Sequence, residues 1–151
     1  MPSSPRFEGK IVNSARPLRP RVVLDTNILV SALLSPTGKP ARTVQSFRTG
    51  QVLACFDHRI LAEYQEVLSR GGFAFSLDQC DALLSDIRQL GLRVLTPSST
   101  CPLPDESDRP FLDVTLAVDA WLVTGNLKHF PGVLKAIGPA ELLQRWERDE
   151  L

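Results

Sequence analysis

Short apolar runs alternate with stretches of helical periodicity from Arg21 onward, and this alternation limits the folds open to the chain. Val22, Val23 and Leu24 form a continuous apolar run without in–out alternation, as strands covered on both faces do. "QVLACF" (51–56), "LRVLTP" (92–97) and "WLVTGN" (121–126) read as further strands. Between them lie segments with apolar residues three and four apart. Ile28 to Leu34 continues the first strand as a helix, and "ARTVQSFRTG" reads as a helix closed at Gly50. Ile60, Leu61, Tyr64, Val67 and Leu68 make one apolar face, stopped by Gly71 and Gly72. "SLDQCDALLSDIRQLG" is a helix capped by Ser76 or Asp78 and ended by Gly91, and "FLDVTLAVDA" is apolar nearly all round, hence deeply buried. "GPAELLQRWERDEL" is a final amphipathic helix with Pro139 in its first turn. The pattern predicts an α/β domain: a three-layer α/β/α sandwich around a mainly parallel sheet of four to five strands.

The 151 residues suit one such domain, over 21–151, preceded by a flexible arm over 1–20. The arm carries four prolines and the cations Arg6, Lys10, Arg16 and Arg19 against Glu8, with no apolar stretch of a secretory signal. Seventeen basic residues balance seventeen acidic ones, which excludes a uniformly basic nucleic-acid coat but leaves room for a local basic rim. Cys55, Cys80 and Cys101 are scattered and form neither a C-x-x-C pair nor a zinc pattern, which fits a reducing cytoplasm. No apolar run approaches the roughly 18–20 residues that span a bilayer.

The first strand is broken by Asp25-Thr26-Asn27 and hydrophobicity then resumes at once. Asp25 therefore stands at the carboxyl end of a strand, where open α/β sheets bind ligands. It reads either as a helix cap or as a functional carboxylate. Glu63 lies at the edge of its helix's apolar arc beside Val67, whereas Glu66 points away; it is either a boundary residue paired with Arg59 or Arg70 or a group aimed at a strand end. Asp108 precedes the helix that has Pro110 in its first turn, as a cap or as a third acid. Asp113 is the only charge in "FLDVTLAV" and must face water, a partner or a metal. Thr124 and Asn126 close the fourth strand.

Strand ends of a parallel sheet share one edge, so these groups can form one cluster. Neighbouring carboxylates raise each other's pKa unless a cation neutralises them. Mg²⁺ or Mn²⁺, hard ions with oxygen ligands, suit the set, and such ions polarise phosphoryl oxygens and acidify water, the chemistry of phosphodiester cleavage. No G-x-G-x-x-G follows the first strand, no P-loop is present, and neither His58 nor His129 accompanies a nucleophile elbow.

"VVLDTNILVSALL", "ILAEYQEVLSR", "DESDRPFLDVTLA" and "AWLVTGNLKHF", in this order, resemble the PIN-domain family, in particular its branch of VapC-type toxins of toxin–antitoxin pairs. The resemblance runs from about Arg21 to about Trp146. It implies a PIN-like α/β/α sandwich and a metal-dependent endoribonuclease acting on RNA, commonly homodimeric and held inactive by a cognate antitoxin. Asp25, Glu63 and Asp108 would be the principal acids holding one or two Mg²⁺ or Mn²⁺ ions. Asp113 would serve as a further catalytic acid, and Asn126 as a neutral ligand where many members read T-G-D. Thr26 and Asn27 would support Asp25, and Thr124 would line the same edge. The join "AVDAW" is one residue shorter than usual, which leaves Asp108 and Asp113 interchangeable as the main third acid. Arg42, Arg48 and Lys128 are candidate contacts to the RNA backbone. Two alternatives stand beside this reading. A haloacid-dehalogenase-like phosphatase needs D-x-D, but Asn27 fills the second position. A non-catalytic PIN-like domain would bind RNA or protein without cutting.

Overall fold

Val22, Val23 and Leu24 are buried to 1% exposure or less, as a strand inside a covered sheet requires. In the computed structural model, which describes residues 19–151, they belong to β1 (Arg21–Leu24). The other strands are β2 (Leu53–Phe56), β3 (Leu92–Arg93), β4 (Trp121–Val123) and β5 (Ala136–Ile137). All pair in parallel in the order β3-β2-β1-β4-β5, with Val22 in register with Ala54 on one side and Trp121 on the other. Among the described residues six α-helices flank the sheet: α1 (Thr26–Leu34), α2 (Lys39–Arg48), α3 (His58–Leu68), α4 (Leu77–Leu90), α5 (Arg109–Val118) and α6 (Pro139–Glu147). The result is the expected three-layer α/β/α sandwich. The arm expected over 1–20 lies, but for its last two residues, outside the described residues.

Helix boundaries follow local chemistry. Ser76 caps α4 through the backbone N–H of Gln79, whose side chain returns a bond to Ser76 N–H. Asp57 caps α3 through Ile60 N–H. Gly91 follows α4 where no side chain fits: a Cβ there would stand 2.6 Å from the Ile87 carbonyl oxygen and 2.9 Å from that of Ala54. α5 crosses β1, β4 and β2, and its Phe111, Leu112 and Val114 are buried to 1% or less.

Two strands depart from expectation. β3 stops at Arg93, well before Pro97, because its neighbour β2 ends at Phe56; Val94 N–H takes the last carbonyl of β2, and Asp57 turns away into α3. β5 is only two residues long, too short to leave a periodic signal. It pairs with Leu122 and Val123 and completes the sheet.

The topology locates the functional edge. From β1 the chain builds outward through β2 to β3, then returns to place β4 on the opposite side of β1. The order reverses between β1 and β4, and ligands of open α/β sheets bind outside the carboxyl ends at such a reversal.

Candidate active site

Asp25 and Thr124 are the residues that follow β1 and β4, at that reversal. Asp25 N–H donates to Val123 O at 2.9 Å, which extends the ladder by one rung and fixes the carboxylate over the crevice. The Thr124 hydroxyl donates to Asp25 Oδ2 at 2.7 Å, with Thr124 fully buried and Asp25 7% exposed. Asp25 occupies the cap position of α1 yet makes no side-chain capping bond, so helix capping does not explain it.

The Thr26 N–H supports the Asp25 carboxylate, while the Thr26 hydroxyl and the Asn27 side chain each tie down a different element. The Thr26 hydroxyl donates to Glu63 Oε2 at 2.6 Å, drawing α3 to the start of α1. Asn27 Oδ1 accepts Gly125 N–H at 3.3 Å and holds the turn after β4. Glu63 is half-buried, in keeping with its edge position, while Glu66 is exposed and pairs with Arg70. The next residue, Tyr64, is buried, and its hydroxyl donates to the Leu24 carbonyl, so the helix carrying Glu63 is fastened to the strand end carrying Asp25.

Asp108 enters from the other side, at the cap position of α5, and also makes no capping bond. By contrast Asp57, Ser76 and Asp105 each cap their helix or turn. Asp108 is 9% exposed, and its Oδ2 has no aligned hydrogen-bond donor. His129 Nδ1 stands 3.1 Å from that oxygen without being aimed at it. His129 Nε2 lies 2.9 Å from Asn126 Nδ2, and Asn126 N–H donates to the Thr124 hydroxyl at 3.0 Å. The segment Thr124–His129 thus touches Asp25 at one end and Asp108 at the other. Sequence reasoning passed over His129 because it sought a Ser or Cys partner; the signal was its position three residues after Asn126, one turn of a 3₁₀ helix.

Burial dominates the electrostatics. It raises the Asp25 pKa above its ordinary value, against smaller opposing effects of the Thr124 hydroxyl and the Thr26 N–H. Asp108 is pushed up to about 6, first by burial and then by the neighbouring Asp25 charge, with His129 opposing. The pH dependence of stability follows. The unfolded chain loses this proton near 3.8 and the folded chain near 6, so between those values the folded state binds more protons. Stability then falls as pH rises through that window, and the penalty is complete above about pH 6. Asp57 contributes the opposite slope, because its Ile60, Arg59 and Thr96 bonds outweigh burial and lower its pKa; its contribution is lost only below about pH 4. Urea unfolding in EDTA is expected to show the chain more stable at pH 5 than at pH 7 by on the order of 1 kcal/mol. Asp108→Asn should remove most of that difference.

Asp113 is not joined to these acids. Its Oδ2 accepts from Arg59 Nη1 at 3.1 Å and its Oδ1 from Ser99 N–H at 2.8 Å. Arg59 also holds Asp57 Oδ2, with Nε at 2.9 Å, and donates to Thr96. The only charge on a buried helix face therefore found a partner in a network tying α3, α5 and the segment after β3 together. Two expected phosphate contacts are also displaced. Arg48 ends α2 beside the turn that feeds the amino end of β2 and pairs with Asp86 at 2.7 Å; Arg42 reaches Glu147 at the end of α6. Lys128, exposed in the turn after β4, lies at the site's rim.

A buried acid pair thus stands at the reversal of a parallel sheet, at the starts of α1 and α5. A family model for the PIN domain matches residues 21–128, and the chain belongs to that family. No curated protein and no solved structure gives a significant match. PIN domains are generally nucleases, and they typically use divalent metals. Among the described residues, no three acid, imidazole or thiol side chains gather into a ready cage for an ion. The donor set nevertheless fits a hard cation. Mg²⁺ keeps several of its waters and binds through one or two carboxylates plus substrate phosphates. Asp25 and Asp108 are two such carboxylates, buried, mutually repelling and one oxygen short of a partner. Among the described residues, no helix is long and apolar enough to cross a membrane.

Proposed function

We propose that this PIN domain is a metal-dependent endoribonuclease and the toxin of a toxin–antitoxin pair. The observation that carries the nuclease reading is the orphaned Oδ2 of Asp108 beside the buried Asp25: two carboxylates at cap positions that cap nothing. Asp25 and Asp108 would hold Mg²⁺ or Mn²⁺, with Glu63 within reach through Thr26. When bound, the cation supplies Lewis acidity toward the phosphoryl oxygen and water acidic enough to attack it. The chain's own residues keep the acids in place: Thr124 fixes Asp25, Thr26 fixes Glu63 and Asn27 holds the turn after β4. Lys128 at the rim offers the charge for an incoming RNA backbone.

The toxin role, the cognate antitoxin and the homodimer rest on the likeness of the four segments to that branch. The neutral Asn126 favours one metal over two, since a second ion asks for a further negative ligand. The test is cleavage of a structured RNA by purified protein with Mg²⁺, with Mn²⁺ and with EDTA. Cleavage with either metal and none in EDTA is the expected result. A folded protein that binds the RNA and cuts it under neither metal would mean a non-catalytic RNA-binding domain.

A further inference from the structure

His129 is not itself an acid of the site, yet one of its nitrogens sits against Asp108. Nδ1 is 3.1 Å from Asp108 Oδ2, and the two atoms do not form an aligned hydrogen bond. Two donors bound side by side to one octahedral ion at about 2.1 Å stand about 3.0 Å apart. The pair therefore has the spacing of two ligands of one ion and lacks the orientation of a donor and its acceptor. The far nitrogen, Nε2, is 2.9 Å from the Asn126 amide. Metal-binding imidazoles hold their second N–H on an oxygen that fixes tautomer and ring orientation. A half-turn of the Asn126 amide presents Oδ1 to Nε2–H and leaves the Nδ1 lone pair free beside Asp108. Asn126 is itself braced by its backbone bond to the Thr124 hydroxyl, which also holds Asp25.

Resting on the metal-centre reading, we infer that His129 Nδ1 ligates the cation beside Asp108, with Asn126 as its positioning residue, and that the centre thereby takes Mn²⁺ in preference to Mg²⁺. The chemistry is one of ligand class. Mg²⁺ favours oxygen throughout, whereas first-row transition ions, Mn²⁺ among them, accept imidazole, and Mn²⁺ also suits carboxylates. An amide where a fourth carboxylate would stand lowers the site's negative charge and weakens its hold on Mg²⁺. The imidazole compensates only for an ion that accepts nitrogen.

The experiment is electron paramagnetic resonance of Mn²⁺ added to the purified full chain, with Mg²⁺ as competitor. In wild type the electron spin-echo signal of bound Mn²⁺ should carry modulation from a directly bound imidazole nitrogen. His129→Gln should abolish that modulation, weaken Mn²⁺ binding about tenfold or more and leave Mg²⁺ binding within about twofold. His129 is 41% exposed at its side chain, so the variant should keep its circular dichroism spectrum. Asn126→Ala should weaken Mn²⁺ binding while retaining the nitrogen signal. Mn²⁺ bound without nitrogen modulation in wild type would overturn the inference and leave the acid centre standing. Mn²⁺ not bound at all would overturn the metal centre, and this inference with it.

Discussion

Asp25→Asn is expected to remove metal-dependent RNA cleavage, by about a thousandfold or more, while the protein stays folded and becomes more stable. Lewis-acid stabilisation of a developing phosphoryl charge amounts to several kcal/mol, and about 4 kcal/mol corresponds to three powers of ten in rate. The amide keeps an oxygen for the Thr124 hydroxyl, so the contact that fixes residue 25 over the β1–β4 crevice survives. What disappears is a negative charge in a site 7% exposed, whose pKa burial already raises. Its removal also relieves Asp108, on which the Asp25 charge acts directly. Activity and stability should therefore move in opposite directions, as they do where a functional site retains unfavourable charge. Initial cleavage rates in Mn²⁺, beside urea midpoints at pH 7 in EDTA, test both halves. A variant that still cuts at more than a tenth of the wild-type rate would place the chemistry elsewhere. A variant both inactive and less stable would make Asp25 a structural residue.

The parts of this site visible in the sequence are those that interrupt a pattern. Asp25 breaks an apolar run at a strand end, and a covered strand offers no bland place for a carboxylate. The helix face of α3 put Glu63 at the boundary of the buried arc and Glu66 in solvent, as found. The partners were not visible, because they depend on which strands become neighbours. Thr124 meets Asp25 across 99 residues of sequence, and only the return of the chain to β4 beside β1 brings them together. Asp113 shows the converse. Its isolation on an apolar helix marked it as special, but the same isolation describes a catalytic acid and the buried half of an ion pair. What separates the two is Arg59, the second residue of α3, 54 residues away. The early end of β3 and the whole of β5 escaped for a related reason: their limits are set by where the neighbouring strand stops.

Arg59→Met is expected to destabilise the fold by about 3–5 kcal/mol, the cost of breaking a buried ion pair by removing one partner. The guanidinium lies between Asp57 and Asp113, whose side chains are 3% and 0% exposed, and methionine spares most of the stem's packing. Asp57 keeps Ile60 N–H and the Thr96 hydroxyl. Asp113 keeps only Ser99 N–H, so its stranded charge accounts for most of the loss. Arg59→Met with Asp113→Leu should therefore recover much of the stability that Arg59→Met alone loses, because an apolar pair leaves no unpaired charge on α5. Urea unfolding of the two single variants and the double variant supplies the cycle. If the double variant is no more stable than Arg59→Met, the cost lies in lost contacts of the arginine rather than in the carboxylate it neutralises. The same set bears on catalysis. Asp113→Asn, still able to accept Ser99 N–H through its amide oxygen, should cut RNA within about tenfold of wild type, since the Asp113 carboxylate bonds Arg59 and Ser99 and neither Asp25 nor Asp108. Loss of cleavage in a folded Asp113→Asn protein would return Asp113 to the catalytic acids and make Arg59 the residue that aims it.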